Sequence, residues 1–207
     1  MIIVGCEKSG VVRRALRARG LDAYSVDIEP SEDNSPHHIQ DDIFVALKSR
    51  AWKRGIVFPE CTFMSVSGAK QLYENHGQKP LIRNPDRWDK LYNAAMFKKK
   101  LLDLNIPIVS ENPKMMHYAM QIVGRKYFCK TQPYYHGDKA TKETYFWRNC
   151  ESFKPLIDTN RLILPEKGTI ERKEFESVWR EPPGKMRKAN RSRFFPDLAD
   201  AIASQWF

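Results

Sequence analysis

Within its first 45 residues the chain switches repeatedly between extended and helical patterning, and at such short intervals few architectures remain open. Met1 to Gly5 is an apolar run, Cys6-Glu7-Lys8-Ser9-Gly10 a loop closing on glycine, and Val11 to Arg19 a helix capped by Gly20. Leu21 to Ile28 resumes extended structure. Asp41-Asp42-Ile43 then opens another short helix, with Asp as N-cap and Phe44, Val45 and Leu47 as apolar positions. Alternation of this kind implies a parallel sheet with right-handed crossovers. The expected fold class is α/β, a mostly parallel sheet flanked by helices.

Two further apolar runs end in reactive side chains. Ile56-Val57-Phe58-Pro59-Glu60-Cys61 reads as a strand ending in a thiol, and Ile106-Pro107-Ile108-Val109-Ser110 as a strand ending in Glu111-Asn112-Pro113. In α/β sheets the carboxyl ends of neighbouring strands face one crevice, so Cys61 and Glu111 can address one ligand from two sides. A thiolate can add to C6 of a pyrimidine while a carboxyl group with a raised pKa donates to N3, which makes C5 nucleophilic. The alternative for Cys61 is an inert buried thiol, a common state of free cysteine.

The Cys6 to Gly10 loop holds one glycine and lacks the dinucleotide fingerprint. It either presents backbone N–H groups and a helix N-terminus to a ligand or is a plain tight turn. Asp27 falls where an acidic residue can accept from ribose hydroxyls, or else belongs to a surface turn with Glu29 and Pro30. Asp42, at the next strand end, can cap its helix and still reach an adenine amino group.

Ser67 to Arg83 reads as a polar loop, followed by a helix from Asn84-Pro85 to about Leu104. Lys98-Lys99-Lys100 in that helix is expected on its solvated side, with phosphate contact the lesser reading. Thr144-Tyr145-Phe146-Trp147 is a strand candidate, Leu156 to Lys188 reads as peripheral, and Asp197 to Trp206 as a docking helix. With 207 residues the chain is expected to form one domain, 1–207, with loop-rich segments at 67–84 and 156–190.

The formal charge of +10 favours a polyanionic partner, or is a solvated basic surface. Four cysteines without CxxC spacing suggest a reducing cytoplasm and no metal site. No apolar run reaches the ~20 residues of a membrane span, and no basic leader precedes the first strand.

Pro59-x-Cys61-x-x-x-Ser65 and Glu111-Asn112-Pro113, preceded in order by the Cys6 to Gly10 loop, Asp27 and Asp42, resemble the cytosine-5 DNA methyltransferases. The whole chain looks like a group of compact phage-encoded methyltransferase-like proteins, through Arg83-Asn84-Pro85-Asp86-Arg87-Trp88, Thr141-Lys142-Glu143-Thr144-Tyr145-Phe146-Trp147 and Arg191-Ser192-Arg193-Phe194-Phe195-Pro196. The resemblance implies a Rossmann-like S-adenosylmethionine-dependent methyltransferase fold acting on cytosine C5 in DNA, single-stranded or loosely specified, in the cytoplasm of a bacterial host. It implies S-adenosylmethionine held by Glu7, Ser9, Gly10, Val11, Asp27, Asp42 and Pro59, with Cys61 as nucleophile and Glu111 as its partner. Ser65, Asn112 and Lys142 would contact the substrate, as would Arg191 and Arg193 unless these are ordinary surface arginines. The chain departs from the family in two respects. Glu60 separates Pro59 from Cys61, and a carboxylate there raises the thiol pKa. There is also no room for a large target-recognition domain, so readout is minimal or supplied by a protein partner. Two rival readings keep parts of this picture: C5 modification of a free pyrimidine nucleotide, and an inert module that binds nucleic acid or a host protein.

Overall fold

The computed structural model describes residues 1–184 and 187–207. Its centre is β1 (Ile2–Gly5), an apolar strand buried along its whole length. β2 (Ala23–Asp27) and β3 (His38–Gln40) extend the sheet to one side, β4 (Arg54–Val57) and β5 (Ile108–Asn112) to the other, all in parallel. β7 (Thr144–Arg148) pairs antiparallel with β5, and β6 (Cys129–Thr131) antiparallel with β7, so the seven strands lie in the order β3-β2-β1-β4-β5-β7-β6. This is the expected Rossmann-like α/β sheet. Strand order reverses between β1 and β4, which places the switch-point crevice at their carboxyl ends.

Alternate residues of each strand enter opposite faces, so both faces must be covered. On one face Ile3, Val57, Ile108 and Trp147 pack with residues of α2 (Ile43–Ser49), α3 (Pro85–Leu102) and α4 (His117–Val123). On the other, Val4, Ile56, Val109 and Phe146 pack with α1 (Val11–Ala18) and α8 (Pro196–Trp206). Approach is close enough that a Cβ on Gly5 would run into Ile43 of α2.

Local signals place several helix ends. Gly20 closes α1 at φ 76°, a left-handed conformation that glycine adopts without a Cβ clash. The Asp42 carboxylate accepts from the amides of Phe44 and Val45, and Asn84 Oδ1 from that of Arg87 at 3.1 Å, with Pro85 in the first turn.

Other boundaries are displaced. β4 ends at Val57 and not at Cys61. Phe58 N still donates to Gly5 O, but Pro59 has no N–H to continue the ladder, and Cys61 O then accepts from Met64 N and Ser65 N in a tight turn. β5 begins two residues later than expected and runs through Glu111 and Asn112, because β7 pairs them with Phe146 and Tyr145. The segment read as a loop over 67–83 contains a 3-10 helix, Val66–Leu72, and a bridge between Tyr73 and Arg83. Within 156–188 lie α5 (Ile170–Phe175), capped by Thr169, and α6 (Ser177–Arg180), followed by α7 (Arg187–Ser192).

Lys98 overturns the reading of the lysine run. Lys100 is exposed and Lys99 pairs with Asp103 at 2.7 Å, but the Lys98 side chain is wholly buried against the sheet. Among the described residues, no helix is long and apolar enough to cross a membrane.

α8 anchors the second face through Trp206. Its ring lies 4.9 Å from Phe146, 5.8 Å from Phe128 and 6.0 Å from Phe153, and its N–H donates to Lys154 O. Trp206→Ala is expected to cost about 3–5 kcal/mol through the cavity left behind, read as a lowered urea midpoint at nearly constant slope.

Candidate active site

Parallel pairing of Val57 with Ser110 brings the ends of β4 and β5 side by side. The turn carrying Cys61 is then tied to the chain that follows Glu111-Asn112-Pro113. Val66 N donates to Lys114 O at 3.0 Å, Met116 N to Met64 O at 2.7 Å, and Ser65 bridges Met115. Arg87 fastens the turn from α3: its guanidinium donates to Thr62 O at 2.8 Å and lies 4.5 Å from the Phe63 ring centroid. Thiol and carboxyl therefore occupy one crevice, the thiol on a pinned turn and the carboxyl on a central strand.

Among the described residues Glu111 is buried with its Oε1 unpartnered, and so is Oδ1 of Asn112, which by strand alternation belongs to the opposite face and whose Nδ2 donates to Pro113 O at 2.8 Å. Orphaned buried acceptors are rare in folded proteins because each forfeits its hydration. Burial pushes the Glu111 carboxyl up, against the opposing charges of Lys142 and Lys98. Burial likewise pushes the Cys61 thiol up to about 11, with Glu111 raising it further and Lys142 lowering it. Glu60 contributes least. It is exposed and accepts from the Thr62 hydroxyl at 2.9 Å, so the main obstacle to a Cys61 thiolate is burial, followed by Glu111.

A second cluster lies at the ends of β1 and β2. Cys6 adopts φ 56° and Gly10 φ 68°, so the loop makes two left-handed turns. A Cβ on Gly10 would collide with the guanidinium of Arg13, which is itself buried and bonded to Ser25 Oγ. Burial, then the charges of Asp27 and Asp42, push the Cys6 thiol up to about 12; both carboxylates thus face the loop. Asp27 Oδ1 accepts from Glu29 N at 3.0 Å, and Asp42 caps α2 through Oδ1. Ser9 Oγ is 3.5 Å from Val11 N. The helix N-terminus is already in use: Glu7 accepts from the amides of Val12, at 2.7 Å, and Arg13, at 3.3 Å. An anionic ligand group would have to displace the chain's own carboxylate there.

Among the residues expected to contact substrate, Ser65 Oγ is 2.9 Å from Ser67 Oγ, and Lys142 lies 5.9 Å from the Phe195 ring centroid. Phe194 contacts Phe58, next to Pro59, at 4.9 Å, so the segment after α7 returns to the end of β4. Arg191 stands 5.7 Å from the Trp179 ring centroid, and Arg193 is exposed.

Two solved structures are similar in part. One is a prophage-encoded protein of E. coli assigned as a DNA modification methyltransferase, at 14% identity and TM-score 0.44, covering 77% of this chain and 51% of that one. The other is Spodoptera frugiperda DNMT2 in a triply substituted form, at 14% identity and TM-score 0.43, covering 81% of this chain and 60% of that one. The chain thus spans about half to three-fifths of their length. No protein-family model matches it, and no curated protein matches its sequence.

Sequence reasoning missed Lys98 and Arg87 as neighbours of this site. A signal for both was present, since Arg87, Leu91, Ala95, Lys98 and Leu102 recur at steps of three and four, the spacing of a buried helix face.

The thiols should separate kinetically. Cys150, half-exposed and held below its ordinary pKa by hydrogen bonds from Ser152, should react with iodoacetamide at about pH 8 roughly a hundredfold faster than Cys61. Peptide mass spectrometry checks this, and Glu111→Gln should speed Cys61 several-fold at about pH 9.

Proposed function

We propose that this protein transfers a methyl group from S-adenosylmethionine to C5 of a cytosine in DNA, through a transient bond between Cys61 and C6. One observation carries the reading: the buried, unpartnered carboxyl oxygen of Glu111 shares a strand-end crevice with the Cys61 thiol. Burial favours the protonated form of the Glu111 carboxyl, which can present its proton to N3 of a pyrimidine.

The donor set at the β1 and β2 ends fits the cofactor. Carboxylates at Asp27 and Asp42 suit ribose hydroxyls, an adenine amino group and a cationic sulfur, and Glu7 at the α1 N-terminus opposes a pyrophosphate. When bound there, S-adenosylmethionine supplies an electrophilic methyl group. Pro59, buried at the switch point, would separate the two halves of the crevice.

In the proposed sequence the Cys61 proton passes to solvent and sulfur bonds C6, while Glu111 gives its proton to N3. Electron density moves to C5, which would take the methyl group as its bond to the donor sulfur breaks. Water takes the C5 proton, the C6–sulfur bond breaks to restore the ring, the thiolate regains a proton from solvent, and N3 returns its proton to Glu111. Cys61 sits on a turn held on both sides, so the base must leave its stack to reach it. Lys142, facing both Cys61 and Glu111, supplies the charge that favours their ionised forms. Single-stranded or loosely specified DNA suits the site best, because a base there leaves its stack at least cost.

Oligonucleotides containing 5-fluorocytosine test the reading, since the fluorine prevents the final elimination. With cofactor present, the native protein should form a denaturation-resistant adduct, and Cys61→Ala should form none. Glu111→Gln should slow methyl transfer by about 10²–10⁴. Absence of any Cys61-dependent adduct, on single or double strands, rejects the nucleophile assignment.

A further inference from the structure

Arg87 backs the turn that carries Cys61, and it does so with a charge that no carboxylate offsets. The residue is only 8% exposed; Nη2 donates to Thr62 O at 2.8 Å, the Phe63 ring covers the guanidinium at 4.5 Å, and Nε has no partner among the described residues. Burial lowers its pKa, with no neighbouring acid opposing the fall. Gly68 makes room for it, since a Cβ there would collide with Nη2. A guanidinium carries five donors, and the tie to Thr62 uses one. A neutral amide could hold that carbonyl without taking a charge out of water, so fastening the turn does not by itself call for arginine.

The same guanidinium lines a surface cavity of about 360 Å³. Its other walls are Phe63 from the turn, Gln71 from the end of the 3-10 helix, and Asn84, Asp86 and Lys90 from the start of α3. Two residues of chain span at most about 7 Å, so Phe63 sets the cavity beside Cys61. Lys90, exposed and nearly one turn after Arg87, enters no ion pair among the described residues. Asp86 is the opposing charge in the lining, so two cations against one carboxylate leave a single positive charge. The N-terminus of α3 adds little, because Asn84 already accepts from the Arg87 amide. A planar fork beside an exposed ammonium suits a phosphate, and a single positive charge suits a phosphodiester better than a terminal phosphate, which is close to a dianion.

We propose that this cavity is an anion subsite for one backbone phosphate of the nucleic-acid strand that enters the Cys61 crevice, held by the guanidinium of Arg87 and the ammonium of Lys90. Naming a nucleic-acid strand as the occupant rests on the function proposed above, whereas the anion chemistry of the cavity does not. A phosphate contact fixes the register of a strand and reads no bases, so the subsite anchors DNA beside Cys61 whatever its sequence.

The test measures binding of a fluorescein-labelled oligothymidylate, which contains no cytosine, by anisotropy over a salt series and without cofactor. It compares the native protein with Lys90→Gln, Arg87→Gln and Lys53→Gln. Lys53, exposed just before β4 and so at the opposite end of the sheet from the crevice, is the control. Lys90→Gln and Arg87→Gln should each weaken binding several-fold and reduce the slope of log K against log salt by roughly 0.7, the value of one single-strand phosphate contact. Lys53→Gln should change neither. An unchanged slope in either cavity variant, an equal loss in Lys53→Gln, or no binding by the native protein overturns the proposal. Thymidine 5′-monophosphate at equal ionic strength should not compete; if it displaces the strand from the native protein but not from Lys90→Gln, the cavity takes a terminal phosphate and the strand assignment falls. Should Arg87→Gln fail to fold, Lys90→Gln, on the surface, decides alone. None of these readings needs methyl transfer. A reduced slope without a 5-fluorocytosine adduct therefore rejects the methyltransferase reading alone, and an adduct with an unchanged slope rejects only the subsite.

Discussion

In-register parallel pairing of β4 with β1 on one side and β5 on the other is the constraint from which the candidate site follows. Val57 lies between Gly5 and Ser110, so the loop after β1, the turn after β4 and the end of β5 open into one crevice. Side chains alternate along a strand, and a slip of one residue would exchange Ser110 and Glu111 between the faces. Ser110 reaches Lys98 of α3 on one side, while Glu111 is turned to the crevice on the other. The hydrophobic pattern Ile108, Val109 therefore fixes the placement of Ser110 and Glu111 as well as a core.

In and behind the crevice lie groups that a folded chain ordinarily avoids burying, the carboxyls Glu7 and Glu111 and the cations Arg13 and Lys98, beside two half-buried thiols, Cys6 and Cys61. Glu7 and Arg13 are satisfied, the first by two helix amides and the second by Ser25 and an ion pair with Asp33. Glu111 and Asn112 are not. The difference separates a part of the site that is internally hydrogen-bonded from one whose buried acceptors have no partner among the described residues. Burial of a carboxyl without partners favours its protonated form, whereas two amide donors favour the ionised one. Burial also raises Glu7 to about 7, against those amides, so its capping bond weakens as that carboxyl takes up a proton below neutrality.

Features that depend on a few neighbouring residues were legible in the sequence. Asp42, Asn84-Pro85 and Gly20 mark helix ends through local hydrogen bonds and backbone preference, and β1, β2 and α8 follow from apolar spacing. The ends of β4 and β5 were not. Their limits come from partners distant in sequence, Gly5 and β7, and from the missing N–H of Pro59. Lys98 shows the same division within one helix: three consecutive lysines look alike as a run, yet a turn of about 100° per residue places one of them in the core.

By itself the sequence determined the α/β class, the two strand-end motifs with Cys61 and Glu111, and the acidic positions Asp27 and Asp42, because side-chain type and periodicity are written locally. Tertiary structure alone decided that Glu60 matters less than burial and Glu111 for the thiol, that Glu7 occupies the helix terminus, and that Lys98 stands behind the pair. The reason is electrostatic. A charge acts according to its depth and its neighbours, and both are set by strands and helices that meet only when the chain has folded.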